Sequence, residues 1–82
     1  MKFNERELKK DLDAVRTLLW HLAEELTWAE LNARSGLHPR TVRRFFTGET
    51  ANPSFRTVYA IAYSVGVRLS IDKQGLLRMR VA

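Results

Sequence analysis

Apolar residues at Leu8, Leu12, Val15, Leu19, Leu22 and Leu26 recur with a 4,3,4,3,4 spacing that aligns them along one side of an α-helix. The pattern predicts a first helix over about residues 5–25. Asn4 supplies its N-cap with Glu7 in the first turn, while Lys9, Lys10 and Arg16 interleave with Asp11 and Asp13 on the solvent face. The same stripe suits a coiled-coil seam, but three heptads are short for one, and Val15 to Leu26 is needed to cover a core. Thr27-Trp28-Ala29-Glu30 then forms a capping box, which starts a second helix over about 27–35 that Gly36 stops. His38 caps a third helix over about 39–46, opened by Pro39, whose missing amide hydrogen has no intrahelical partner in a first turn, and ended by Thr47 and Gly48. Ser54 caps a fourth helix over about 55–65, with Phe55, Val58, Ile61, Ala62 and Val65 at helical spacing before Gly66.

Beyond Gly66 the period changes from helical to alternating. Val67, Leu69 and Ile71 alternate with Arg68, Ser70 and Asp72, and Leu77, Met79 and Val81 alternate with Arg78 and Arg80 across a turn at Lys73-Gln74-Gly75. Two strands at about 67–72 and 76–81 follow, forming a β-hairpin. An isolated hairpin is marginal in water, so this one must pack on the helices, pair with a second copy, or both. The predicted fold class is mainly α, a four-helix bundle with a C-terminal β-hairpin, as a single domain over 1–82.

Composition narrows the possible chemistry. With 82 residues the chain has room for one core, and at about 0.05–0.15 kcal/mol per residue its stability is small enough for self-association to help. The absence of Cys excludes disulfides, thiolate zinc sites and cysteine nucleophiles, and fits a reducing, cytoplasmic setting. The charged N-terminal stretch does not read as a secretory signal, and no apolar run is long enough to span a bilayer, so no membrane role is expected. The net charge of +5 is unevenly distributed: residues 1–30 sum to −2, residues 31–56 to +4 and residues 57–82 to +3. A basic middle and end imply a polyanionic partner, with nucleic acid ahead of membrane.

The second and third helices, joined by a tight turn at Gly36-Leu37, form a compact helix-turn-helix. In such a unit the second helix lies in the major groove of DNA with its first residues toward the base edges. Val42 and Phe45 fall on the inward face, and Arg40, Arg43 and Arg44 on the opposite one. The stretch from Leu26 to about Leu69 resembles the Cro and phage-repressor type of helix-turn-helix, also called the xenobiotic-response-element type. Leu26-Thr27, Glu30-Leu31, Ser35-Gly36-Leu37, Thr41-Val42, Gly48, Asn52-Pro53-Ser54 and Val65-Gly66-Val67 match it without a gap. The resemblance implies a lambda-repressor-like bundle and a homodimer on a partly palindromic double-stranded operator, with base contacts from Pro39, Arg40, Arg43 and Arg44. Phosphate contacts are expected at Thr27, Trp28, Arg34, His38, Thr41, Asn52 and Arg56. Three positions depart from the family pattern: Trp28 stands where Gln is favoured, Asn32 where a small Ala is favoured, and Pro39 has no donor with which to read a base. Specificity therefore rests on arginine, which pairs bidentately with guanine O6 and N7.

Other side chains have plainer readings. The helical spacing of Trp20, Trp28, Phe45, Phe46, Phe55, Tyr59 and Tyr63 favours core packing over base stacking on single strands or RNA. His21 and His38 are too few for a metal site, and the acidic residues have no nucleophile motif or phosphate loop near them, so neither a cofactor nor an enzymatic activity is expected. Val67, Leu69, Ile71, Leu77, Met79 and Val81 are the dimerisation candidates, and Arg68, Arg78 and Arg80 are placed to graze DNA beside the operator. The expected function is that of a transcriptional regulator, a repressor, of bacterial or phage type. The alternative is an antitoxin resembling the HigA type that also binds a toxin, suggested by Gly66-Val67-Arg68-Leu69.

Overall fold

The computed structural model describes residues 4–81, so residues 1–3 and 82 of the expected domain lie outside it. Four helices are followed by two strands: α1 (Glu5–Leu22), α2 (Trp28–Ser35), α3 (Pro39–Thr47), α4 (Phe55–Ser64), β1 (Val67–Ile71) and β2 (Leu77–Val81). Each helix starts at a local cap. Asn4 Oδ1 accepts the Arg6 amide at 2.9 Å, Thr27 and Glu30 complete a reciprocal capping box, His38 Nδ1 accepts the Arg40 amide at 3.1 Å, and Ser54 Oγ accepts the Thr57 amide at 3.1 Å. Gly36 and Gly48 end α2 and α3 in the left-handed conformation, at φ of 68° and 81°.

The first helix differs from its prediction in length and in orientation. It ends at Leu22 rather than near residue 25, because residues 23–26 form the turn that returns the chain to Thr27; the Leu26 amide bonds to the Ala23 carbonyl at 2.9 Å. A helix carried through Glu25 would leave only Leu26 for that reversal before the Thr27 cap. The face turned inward carries Leu12, Val15, Arg16, Leu19 and Ala23, whereas Leu8 and Leu22 are exposed. Arg16, expected on the solvent face, is only 8% exposed.

The core has two adjoining parts. Leu19, Phe45, Ile61, Ala62, Val67 and Leu69 form the larger, and Ala23, Leu31 and Val42 the smaller; Leu37, Phe46 and Val65 pack against both. At about 25 cal/mol per Å² of apolar surface, each large side chain buried here contributes roughly 1.5–3 kcal/mol, which makes Phe45 and Leu19 principal anchors. Most of the other aromatic side chains are not in this core. Trp20, Phe55, Tyr59 and Tyr63 are exposed, a correction to the reading that placed them inside. Phe45, Leu19 and Ile61 already occupy the interior of so small a fold, and the remaining rings pack along its rim. Trp20, Trp28 and Phe46 pack on one another with centroids 5.3–6.1 Å apart, and Phe55 lies 6.1 Å from Tyr59.

The hairpin pairs antiparallel, with Val67 opposite Val81, Leu69 opposite Met79 and Ile71 opposite Leu77. These six side chains share one face, but only the Val67 and Leu69 end reaches the core. Asp72 organises the turn: its carboxylate accepts the amides of Gln74 and Leu76, each at 2.9 Å, and the Arg78 guanidinium at 3.0 Å, while Gly75 takes φ 82°. These bonds, led by the one from the Leu76 amide, hold the Asp72 carboxyl below its usual 3.8. Because its folded-state pKa is depressed, the carboxylate stabilises the hairpin above about pH 4 and loses that contribution as the pH falls through the lowered value. NMR titration is expected to show Asp72 ionising below 3.8 and the Gln74 and Leu76 amide signals shifting in the same range; in Asp72→Asn that titration should be absent.

Candidate nucleic-acid interface

The basic face of α3 is a product of which side the helix buries. Val42 and Phe45 are three residues apart and fully buried, so the helical period turns Arg40, Arg43 and Arg44 outward, and all three are exposed. Among the described residues, Arg40 and Arg43 have no carboxylate within 4.0 Å; Arg44 Nε lies 4.0 Å from Glu49 Oε2, both side chains exposed. A solvated pair at that separation leaves most of the positive potential in place. Three guanidinium groups within two turns repel one another, and an anionic partner relieves that repulsion.

A cleft of about 330 Å³ opens between the helices of the helix-turn-helix, lined by Trp28, Asn32, Pro39, Arg40 and Arg43. It joins three of the residues expected at bases with one expected at phosphate. The Arg43 guanidinium carbon stands 5.2 Å from the centre of the Trp28 ring, within cation–π range. Asn32, noted in the sequence only as a departure from a small residue, lines the same cleft, and its Oδ1 is buried without a hydrogen-bond partner.

The remaining expected contacts are more scattered. The Thr27 hydroxyl is already engaged, accepting the Glu30 amide and donating to the Glu30 carboxylate. Arg34 Nη2 lies 3.6 Å from Glu30 Oε2 on the outer face of α2. His38 is exposed, with Nδ1 used for capping, and Thr41 is half-buried. Arg56 is exposed near the start of α4. Asn52 lines a different cleft, of about 460 Å³, formed with the N-terminal half of α1 by Glu5, Leu8, Lys9, Asp13, Arg16, Thr47, Gly48 and Ala51. In the hairpin, the Arg68 guanidinium carbon lies 3.9 Å from the centre of the Tyr63 ring and Arg78 bonds Asp72, so both arginines are occupied within the chain. Of the residues expected at a dimer contact, Val67 (2% exposed) and Leu69 (7%) lie in the core, whereas Ile71, Leu77, Met79 and Val81 remain at the surface.

Sequence reasoning missed Arg16, which ties α1 to the end of α3. Its guanidinium donates to Asp13 Oδ1 at 2.9 Å and to the Thr50 carbonyl, and its Cζ lies 5.5 Å from the centre of the Phe45 ring. The signal was present: Leu12, Arg16, Leu19 and Ala23 follow the same 4,3,4 spacing as the leucines, so a rotation of the helix by one position puts Arg16 on the inner face. It is a buried charge that donates hydrogen bonds to an ionised carboxylate and a carbonyl, which offset most of the cost of its burial, although its Nε has no partner among the described residues.

A family model described as helix-turn-helix matches residues 22–70, more than half of the chain. No curated protein and no solved structure gives a match. No helix among the described residues is long and apolar enough to cross a membrane. Replacing Arg16 with Leu is expected to leave the Thr50 carbonyl without its donor and to destabilise the fold by about 1–3 kcal/mol, measured as a lower urea midpoint, with the largest amide shifts in residues 47–52.

Proposed function

This chain belongs to the Cro/repressor-type helix-turn-helix family of DNA-binding regulators, and we propose that it is a sequence-specific transcriptional repressor acting in the cytoplasm. In this reading it binds duplex DNA as a homodimer, with α3 of each protomer in successive major grooves about 34 Å apart. The observation that carries the reading is the outward arginine face of α3, seated on buried Val42 and Phe45 within the matched segment. Pro39 and Arg40 open the helix toward base edges, Arg43 and Arg44 extend the face by one turn, and Pro39 contributes packing, for instance on a thymine methyl. Thr41, His38, Trp28 and Thr27 flank that face, and Arg34, Asn52 and Arg56 supply outer phosphate contacts. Repression follows from occupying a promoter.

The homodimer is supported by the free part of the hairpin. Ile71, Leu77, Met79 and Val81 are apolar and exposed, Val81 by 74%, and the outer edge of β2 carries no partner strand among the described residues. Pairing that edge with its symmetry mate satisfies the open backbone groups and sets the exposed apolar rows of the two protomers side by side.

Selection from a randomised duplex library should return a G-containing half-site. Arg40→Ala and Arg43→Ala are each expected to weaken specific binding, and loss of a bidentate guanine contact costs about 1–3 kcal/mol of base discrimination. Unchanged sequence preference in both variants would count against direct readout by α3. Met79→Glu combined with Val81→Asp should shift the chain to a monomer in sedimentation experiments and weaken operator binding, leaving the helical circular-dichroism signal intact.

A further inference from the structure

The three arginines of α3 differ in what surrounds them. Arg44 faces Glu49 across 4.0 Å, while Arg40 has neither a carboxylate nor an aromatic ring beside it among the described residues. Arg43 alone of the three lies over a ring, with its Cζ 5.2 Å from the centre of Trp28. That indole belongs to a different helix and is itself held: Trp20 of α1 packs on it at 5.7 Å and Phe46 of α3 at 6.1 Å. Arg43 and Phe46 are one helical turn apart, so both reach the same indole.

A cation–π contact forms no hydrogen bond to a base-pairing acceptor, and Arg43 makes no side-chain hydrogen bond within the described residues, so its N–H donors stay available. The contact thus restrains a long side chain without pairing the donors that a base edge requires. An arginine restrained before contact loses less rotamer freedom when it pairs, so more of its pairing energy appears as discrimination between bases. We propose that Trp28 is a positioning residue that makes Arg43 the guanine-reading arginine of α3. This inference rests on the duplex-binding reading above, and it assigns the indole a part in specificity in place of the phosphate contact expected from its position.

Two measurements on the full chain test it. In the free protein, the Arg43 Nε–Hε NMR signal is expected to carry a ring-current shift that the Arg40 signal lacks; the shift should vanish in Trp28→Leu and persist in Trp28→Phe, which keeps an aromatic face. In binding to the selected duplex and to its G→A variants, Trp28→Leu should lower the preference for guanine at the base read by Arg43 by about two- to fivefold, the size of an exposed cation–π contact. The salt dependence of binding should not change, because no phosphate contact is removed, and Trp28→Phe should restore the preference. Trp20→Leu loosens the same cluster without removing the stacked ring, and should lower thermal stability while retaining most of the preference. An Arg43 signal without a ring-current shift, or a Trp28→Leu variant that weakens all duplexes equally, would overturn the positioning role and leave the regulator reading standing. Failure of the wild-type chain to prefer any duplex over random sequence would instead overturn the regulator reading, and this inference with it.

Discussion

Nine residues of helix do not persist in water, because nucleation costs more than so few intrahelical bonds return, and α3 is nine residues long. The arrangement of the fold answers that constraint. Phe45 and Val42 tie the helix to both parts of the core, His38 and Pro39 fix its first turn, and Gly48 ends it. Arg16 adds a tether from α1, with its guanidinium over Phe45 and bonded to the carbonyl of Thr50 just past the helix end. The α3 surface that remains carries mostly positive charge, since nearly every apolar side chain of the helix has been spent on holding it.

Rigid support and open charge are thereby separated on one short element. Ion pairs among the described residues gather on α1, α2 and the hairpin, where Asp13, Glu30 and Asp72 meet cationic neighbours. Only Glu49 approaches the α3 arginines, at the longest of these separations. The carboxylates thus damp the positive potential over much of the molecule and leave it concentrated where the cleft beside Trp28 opens.

The parts of the fold legible in the sequence are those decided within a few residues. Asn4, Thr27 with Glu30, His38 and Ser54 each cap the helix they were expected to cap, because an N-cap needs only a side-chain acceptor two or three positions before an orphan amide. The alternation in 67–71 and 77–81 likewise fixed the hairpin and its apolar face. Burial was harder to read. Trp20, Phe55, Tyr59 and Tyr63 have the spacing of core residues, yet whether a ring is covered depends on elements distant in the chain, and the interior was filled by smaller side chains and Phe45. Arg16 was misplaced for the complementary reason: its partners Thr50 and Phe45 are 34 and 29 positions away and cannot be seen from its neighbours. In the candidate site, the outward arginines followed from periodicity, whereas the indole beneath Arg43 required knowing how α2 crosses α3.

The hairpin places two kinds of side chain on opposite sides of the same narrow ribbon. Arg68 is paired with Arg80, and Ser70 with Arg78, on the face turned away from the apolar row. An open strand rich in leucine, methionine and valine is a template for uncontrolled stacking into fibrils, and like charges repeated at every second position make an extended in-register stack electrostatically costly. The arginines of this ribbon therefore act as gatekeepers: they oppose endless polymerisation through a strand whose apolar side chains are uncovered in the single chain.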